Sequence, residues 1–251
     1  MRVIAHRGAS RDRPENTLAA FDEALRQGAD GIELDVQLSR DGVPVVWHDR
    51  TLVRAGGGRR SVARCDLPEL SRLDPGARFD RAWRGQHIPT LERVLERYGE
   101  RTELLVEIKT REGAGAGERH ERLARSVARM VRSRGLFERV RLLCFDPALL
   151  AVCADEAPGV RIVLNLKPPR AMTRTVRRRL ESLHALSADV RTLTPAFGAS
   201  VLQAARPLYV YTCNGPRTVE RALAAGATAV MTDRPAWLAG RLRERRTGDE
   251  A

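Results

Sequence analysis

The chain has 251 residues, of which 44 are Lys or Arg and 32 are Asp or Glu, so its formal net charge at pH 7 is +12. This length allows one large domain or two small ones with a sizeable core, which removes the need for disulfide bonds or a structural metal to stabilise the fold. No run of eighteen apolar residues is present, and the strand-like segment Val3-Ile4-Ala5-His6 begins where a signal peptide would lie, so we expect a cytoplasmic protein without stable membrane insertion.

Strand-like apolar runs alternate with segments of helical period through most of the chain, which predicts βα units and a parallel sheet. The predicted strands are 2–6, 31–36, 103–108, 140–144, 160–164, 187–190, 207–212 and 228–231. The predicted helices are 17–27, 90–98, 119–134, 147–155, 172–183, 197–205, 216–225 and 235–245. Eight strands with helices between them indicate an α/β fold, a closed (β/α)8 TIM barrel, with an open doubly wound sheet as the alternative.

The regular alternation stops after the second predicted strand. Residues 49–89 are rich in Gly, Arg and Pro and contain one short helical piece near 67–73. A segment of this length without regular period usually forms a lid or a small subdomain. We therefore predict a single catalytic barrel domain over 1–251, with an insertion at about 49–89 beside the active site.

Two carboxylates alternate with apolar residues on the second predicted strand. Glu33 and Asp35 are two residues apart, so both side chains project from the same face of the strand. Two carboxylates on an inward face repel each other unless they are protonated or neutralised by a cation. The spacing therefore favours a metal site.

The third predicted strand repeats this pattern, because Glu107 and Lys109 share a face near its carboxyl end. A buried ion pair between Glu107 and Lys109, or between Glu107 and an arginine, is the structural alternative to a metal ligand. Beside Glu33 and Asp35 the metal interpretation is favoured, and three oxygen ligands without sulfur select a hard cation such as Mg²⁺ or Ca²⁺.

Two of the five histidines close strands. His6 ends the first strand and His48 ends the extra apolar run 43–47, so the two imidazoles are candidates for an acid/base pair. Arg7 supplies a planar fork for a phosphate or a carboxylate, although a salt bridge to Glu15 is a competing role. Glu15 is near enough to His6 in sequence to face the same cavity.

With these residues identified, the chain strongly resembles the glycerophosphodiester phosphodiesterase family. The motifs that carry the resemblance are His6-Arg7-Gly8, Pro14-Glu15-Asn16-Thr17, Gly31-Ile32-Glu33-Leu34-Asp35-Val36, Asp41-Gly42, His48-Asp49, Ile88-Pro89-Thr90-Leu91, Glu107-Ile108-Lys109, Phe145-Asp146-Pro147, Asn214 and Thr232-Asp233-Arg234-Pro235. Two of its features depart from the family pattern, Cys144 before the Phe-Asp-Pro segment and Tyr211-Thr212-Cys213 before Asn214, and both concern the shape of the substrate pocket.

The resemblance implies a (β/α)8 barrel with a small insertion after the second strand, and metal-dependent hydrolysis of glycerophosphodiesters to glycerol 3-phosphate and an alcohol. It implies one divalent cation held by three acids, Glu33, Asp35 and Glu107. It also implies an acid/base pair, His6 and His48, and a phosphoryl clamp, Arg7 and Lys109. Glu15 and Asn214 are predicted to contact the substrate as well.

Two other functions stay open at this point. Lysophospholipase D-like cleavage of lipid phosphodiesters would need an exposed apolar face in the 49–89 segment, whose arginines instead suggest a polar rim. A noncatalytic protein that binds anions or nucleic acid would exploit the charge of +12. We expect a small-molecule substrate and no nucleic acid, because aromatic residues are only 4% of the chain and the arginine clusters fall on helices with solvated faces. The sequence gives no oligomeric state.

Overall fold

A computed structural model of the chain describes residues 1–110, 116–166 and 180–249. The strands in this part of the chain are β1 (Arg2–His6), β2 (Gly31–Leu38), β3 (Pro44–Val46), β4 (Glu103–Ile108), β5 (Val140–Cys144), β6 (Arg161–Leu166), β7 (Ala185–Asp189), β8 (Leu208–Tyr211) and β9 (Ala229–Thr232). The helices are α1 (Leu18–Arg26), α2 (Leu67–Leu70), α3 (Pro75–Phe79), α4 (Leu91–Tyr98), α5 (Ala116–Ser133), α6 (Pro147–Glu156), α7 (Pro195–Gln203), α8 (Pro216–Ala224) and α9 (Pro235–Asp249).

Eight of these strands close into a parallel barrel. Their order is β1-β9-β8-β7-β6-β5-β4-β2, and β2 pairs with β1 to complete the ring. The predicted TIM barrel is therefore confirmed, and the open-sheet alternative is excluded because no strand of the ring is left as an edge. The ninth strand, β3, is the extra apolar run, and it pairs antiparallel with the end of β2.

Each strand buries both faces, as parallel barrel strands do. On β2, Ile32, Leu34 and Val36 belong to the layer between barrel and helices, whereas Glu33 and Asp35 point into the barrel. The layer inside the barrel is filled by apolar side chains from seven strands, namely Ile4, Leu105, Leu143, Val163, Ala185, Tyr209, Ala229 and Met231. The barrel is thus solid below its carboxyl end, and polar side chains are concentrated above.

The helices begin where the sequence supplies caps. The Thr17 hydroxyl accepts from the Ala20 amide at the start of α1, and Thr90 does the same for the Arg93 amide in α4. The predicted helix 172–183 lies almost entirely outside the described residues, and its described end is a 3-10 turn, Leu180–Ser182. Across the described residues, every helix is too short or too polar to cross a bilayer.

The insertion of 49–89 contains α2, α3 and several 3-10 turns around a small hydrophobic cluster of its own. This cluster joins the extra strand to the insertion and consists of Val45, Trp47, Leu52, Ala55, Val62, Cys65, Leu70 and Ile88. Because Val45 and Trp47 flank the end of β3, the cluster fixes the insertion against the segment that carries His48.

Candidate active site

A cavity of about 420 Å³ opens at the carboxyl ends of the barrel strands. Six of the residues predicted from the sequence line it, namely His6, Arg7, Glu33, His48, Glu107 and Lys109. Asp35 is 1% exposed and lies below them. The turn after β1 that carries Arg7 depends on Gly8, whose φ of +83° and close approach to Ala20 leave no room for a side chain.

The three predicted metal ligands come together. One oxygen from each of Glu33, Asp35 and Glu107 lies within 4.8 Å of the others. The strand register explains this arrangement, because β2 and β4 pair with Asp35 directly beside Glu107, and Glu33 lies one pleat earlier on the same face of β2. Acids on two neighbouring strands therefore form one cluster of hard oxygen donors.

The charges of this cluster are unevenly balanced. Burial, together with the charge of Asp35, raises the pKa of Glu33 well above its ordinary value. Burial would also raise the pKa of Asp35, but the charges of Lys109 and Arg7 hold it below its usual range. Among the described residues, no Lys or Arg side chain lies within ion-pair distance of Glu33, which contacts the Arg7 backbone amide at 3.1 Å. A buried carboxylate without a Lys or Arg partner fits a divalent ion as its counterion.

Lys109 and Arg7 approach the cluster from above. The Lys109 Nζ lies 2.6 Å from Glu107 Oε1 and 3.2 Å from Asp35 Oδ1. The Arg7 Nε lies 3.2 Å from Asp35 Oδ2, and its Nη1 donates to Glu15 Oε1 at 3.1 Å. The structure thus contains the Glu107–Lys109 and Arg7–Glu15 ion pairs that were the structural alternatives, and in addition both basic side chains contact Asp35 of the acid cluster.

His6 is held from outside the cavity by a residue to which sequence reasoning gave no role. Its Nδ1 lies 2.7 Å from Asp233 Oδ1, and its Nε2 lies 4.0 Å from Glu33 Oε2. Burial opposes protonation of His6, but the hydrogen bond to Asp233 and the charge of Glu33 outweigh burial and raise its pKa. Asp233 therefore directs the Nε2 side of the ring towards the cavity.

Asn214 lies behind Asp233, away from the cavity wall. Its Nδ2 donates to Asp233 Oδ2 at 2.6 Å, and its Oδ1 accepts from the Asp233 amide at 2.9 Å and from the Thr232 hydroxyl at 3.0 Å. Both ends of the amide are used to fix Asp233. The structure therefore places Asn214, predicted as a substrate contact, where it supports His6 through Asp233.

His48 lies on the other side of the cavity, after β3. Its Nδ1 is 3.0 Å from Asp49 Oδ1. Burial, together with the nearby charges of Arg7 and Lys109, lowers the pKa of His48, against the opposing charge of Asp35. Glu15, the other predicted substrate contact, bonds to Arg7 and to Arg54 of the insertion and does not line the cavity.

The opposite wall of the cavity comes from strands β6 to β8, where the sequence analysis proposed only Asn214 as a substrate contact and related Tyr211 to the shape of the pocket. It contains Asn165, Asp189, Arg191 and Tyr211, each at or just beyond the carboxyl end of its strand. The Asn165 Nδ2 donates to Glu107 Oε2 at 3.3 Å. The signal that could have identified these residues is their position after predicted strands, since all eight strand ends of a barrel meet around one site.

Taken together, the cavity combines hard oxygen donors for a cation, a guanidinium and an ammonium that suit an anion, and two imidazoles with oppositely shifted pKa values. Such groups can bind a phosphoryl group, take a proton from an attacking hydroxyl and give a proton to a departing alkoxide.

Comparison with known proteins identifies the family of the chain. Residues 6–237 match the model of the glycerophosphoryl diester phosphodiesterase family. A glycerophosphodiester phosphodiesterase of Caldanaerobacter subterraneus subsp. tengcongensis is 33% identical over 246 residues, which cover 96% of this chain and 98% of that protein.

Two solved structures show the same fold over nearly the whole chain. An Oleispira antarctica phosphodiesterase in complex with its product sn-glycerol-3-phosphate superposes with a TM-score of 0.83 at 25% identity, covering 97% of each chain. A glycerophosphodiester phosphodiesterase from Agrobacterium tumefaciens gives a TM-score of 0.76 at 28% identity, covering 94% of this chain and 97% of that one. The chain therefore belongs to the glycerophosphoryl diester phosphodiesterase family and is an enzyme, a phosphoric diester hydrolase.

Proposed function

We propose that this enzyme hydrolyses water-soluble glycerophosphodiesters to glycerol 3-phosphate and an alcohol, with one divalent cation, Mg²⁺ or Ca²⁺, as its cofactor. The observation that carries the proposal is the cluster of Glu33, Asp35 and Glu107 in a cavity that His6 and His48 also line, in a member of this family. Family membership makes the chain an enzyme, so the noncatalytic anion-binding interpretation is no longer needed to explain its positive charge.

In this proposal the three acids hold the cation, since all of them offer carboxylate oxygens and, among the described residues, Glu33 has no Lys or Arg side chain as a partner. When bound, the ion would supply positive charge against the phosphoryl oxygens. Arg7 and Lys109 lie at the wall of the same cavity and bind the non-bridging oxygens of the diester. Their ion pairs with Asp35 orient the Arg7 guanidinium and the Lys109 ammonium towards the phosphate.

The two histidines divide the proton transfers according to their surroundings. His48, whose pKa is lowered, is neutral near pH 7 and takes the proton of the attacking hydroxyl, which belongs to water or to the substrate's glycerol. Attack by water gives glycerol 3-phosphate directly, whereas attack by the glycerol hydroxyl gives a cyclic phosphodiester, which a water molecule then opens to glycerol 3-phosphate. His6, whose pKa is raised beside Asp233, is protonated and gives its Nε2 proton to the departing alkoxide. The shifts in opposite directions keep both imidazoles in their working states over the same range of pH.

These pKa directions predict a bell-shaped dependence of kcat/KM on pH. Activity is expected to rise as His48 loses its proton, below the ordinary histidine value of 6.5, and to fall as His6 loses its proton, above 6.5. Initial rates with glycerophosphocholine between about pH 5 and about pH 9 measure both limbs. A profile that rises steadily across this range would contradict the assignment of His6 as the acid.

The support of His6 by Asp233 gives a second prediction. Asp233→Asn removes the charge that favours the imidazolium, so we expect kcat to fall about 10- to 100-fold and the basic limb of the pH profile to move to lower pH. Asp146→Asn is the matched control, because Asp146 also follows a barrel strand but only caps α6. An unshifted basic limb in Asp233→Asn would show that Asp233 has a purely structural role.

One observation favours a second candidate, cleavage of lysophospholipids. Among the described residues the large apolar side chains with high exposure are Val53 at 48% and Phe79 at 44%, both in the insertion. Phe79 also lines a smaller cavity with Trp47 and Arg54, next to the segment that carries His48. Two exposed side chains are a small apolar surface compared with an acyl chain, so the water-soluble substrate is the main proposal.

The test is the release of glycerol 3-phosphate from glycerophosphocholine by the purified protein, with and without Mg²⁺ or Ca²⁺. Choline release from lysophosphatidylcholine is measured in parallel. We expect cation-dependent turnover of glycerophosphocholine at a much higher kcat/KM than lysophosphatidylcholine. Turnover that survives exhaustive chelation would remove the cation from the proposal, and faster turnover of the lysolipid would establish the second candidate.

A further inference from the structure

Arg54 lies in the insertion and binds two carboxylates at once. Its Nε donates to Asp49 Oδ2 at 2.5 Å, and one terminal nitrogen, Nη2, donates to Glu15 Oε1 at 2.6 Å. A guanidinium holds its donors in a fixed plane, so this double contact fixes the two acids relative to each other.

Each of these carboxylates contacts a side chain of the cavity. The second oxygen of Asp49 is 3.0 Å from His48 Nδ1, and the Glu15 oxygen that accepts from Arg54 also accepts from Arg7 at 3.1 Å. A continuous set of charged contacts therefore runs from His48 through Arg54 to Arg7. It links a histidine that follows β3 with an arginine that follows β1, through a residue that belongs to neither strand.

The contact with Asp49 determines how the His48 ring is oriented. With Nδ1 held by Asp49, the other ring nitrogen, Nε2, is the one that the proposed function uses for proton transfer. Arg54 restrains the Asp49 carboxylate, and its hydrogen bond lowers the pKa of Asp49, so that this partner stays ionised. Arg54 therefore acts on His48 through the orientation and charge of Asp49.

Stability alone does not account for this arrangement. The side chains are partly open to solvent, at 47% for Arg54, 28% for Asp49 and 23% for Glu15, and ion pairs with such exposure contribute little to folding. The insertion is instead fixed by its apolar cluster around Trp47 and Leu52. We therefore expect Arg54 to affect the geometry of the catalytic side chains and not the stability of the fold.

We propose that Arg54 is a positioning residue, which aligns His48 through Asp49 and Arg7 through Glu15 so that proton transfer and phosphoryl binding occur in one geometry. This inference rests on the proposed function, in which His48 and Arg7 contact the substrate. It assigns the insertion a part in catalysis beyond covering the site.

The test compares Arg54→Ala with Arg59→Ala, a matched control in the same insertion. Arg59 is exposed, and no ion pair is found for it within the described parts of the chain. We expect Arg54→Ala to lower kcat/KM about 10- to 100-fold, since a small misplacement of catalytic groups has effects of this size. Arg59→Ala is expected to retain wild-type kinetics, and both variants to retain the wild-type melting temperature within a few degrees.

Two further measurements separate positioning from a general structural effect. Guanidinium ion at millimolar concentration is expected to restore part of the activity of Arg54→Ala, because it can occupy the vacated position between the two carboxylates, and to leave Arg59→Ala unchanged. The two contacts of Arg54 can also be tested separately. Asp49→Asn should mainly lower kcat through His48, whereas Glu15→Gln should mainly raise KM through Arg7.

A double-mutant cycle completes the test. Arg54→Ala should lower kcat/KM by a smaller factor in the Asp49→Asn background than in the wild type, because one of the two carboxylates that Arg54 binds is already lost. Wild-type kinetics in Arg54→Ala, or a full loss that guanidinium does not relieve at all, would overturn the inference. A wild-type enzyme without glycerophosphodiester turnover would instead overturn the proposed function, so the two failures are distinct.

Discussion

Replacing His48 by alanine is expected to lower kcat for glycerophosphocholine by about 10²- to 10⁴-fold, the usual loss when a positioned general base is removed. His48 lines the cavity with its Nδ1 close to Asp49, and its lowered pKa keeps it neutral near pH 7. The other imidazole that lines the cavity, His6, is the proposed acid and therefore does not replace His48 as the base. His6→Ala is expected to have an effect of the same order, since His6 is the proposed acid. Steady-state release of glycerol 3-phosphate measures both.

The control for these variants is His87→Ala, because His87 lies exposed in the insertion and does not line the cavity. Cation binding, followed by calorimetry, should be retained in His48→Ala, since this side chain is not among the three acids. A substrate with an activated leaving group, such as a p-nitrophenyl phosphodiester, should rescue His6→Ala more than His48→Ala. Equal rescue of both would contradict the division of roles.

The second large effect is expected at Glu33. Glu33→Gln should abolish most turnover, because it removes one of the three proposed cation ligands and the one that has no Lys or Arg partner among the described residues. The same variant should be more stable than the wild type in a cation-free buffer at alkaline pH. The folded-state pKa of Glu33 is raised above 4.5, so folding favours its protonated form, and that stabilisation is lost as pH rises through the raised value. Above this value the ionised wild-type side chain destabilises the fold, and glutamine does not.

Thermal unfolding with and without Mg²⁺ or Ca²⁺ measures this effect independently of activity. A cation at a hundred times its Kd adds about 2.7 kcal/mol to the stability of the wild type, which corresponds to roughly 5–10 °C in Tm for a protein of this size. Glu33→Gln should lose most of this shift, whereas Glu100→Gln, at an exposed position, should keep it. A cation-induced shift that is identical in Glu33→Gln and wild type would place the ion elsewhere.

Local sequence patterns predicted the barrel and the acid cluster because both depend on short-range periodicity. The period of two on β2 placed Glu33 and Asp35 on one face, and the same period placed Glu107 and Lys109 together on β4. The sixth barrel strand, β7, was predicted at 187–190 and is found at Ala185–Asp189, two residues earlier at its start. It contains two alanines, a serine and an aspartate and only one large apolar residue, Leu186, so pairing with β6 and β8, which no local pattern reports, defines its beginning.

The supporting contacts of the site were out of reach for the same reason. Asp233 lies 227 residues from His6 in sequence, and only closure of β9 onto β1 brings the two together. Asn214 was identified as a motif residue, but its position behind Asp233 depends on the turns after β8 and β9. Residue type thus indicates which side chains carry chemistry, and the contacts that orient them become visible only in the closed barrel.

Lys109 has a consequence for how the protein can be handled. Its ammonium lies between Asp35 and Glu107, so a positive charge that belongs to the chain itself stays beside two of the three acids. Burial still raises the pKa of Glu33 and of Glu107, but the contacts of Lys109 lead us to expect that the barrel stays folded without the proposed cation. Under the proposed function, inactivation by chelators is then expected to be reversible, so that a single preparation can be reloaded in turn with different ions to rank them in one assay.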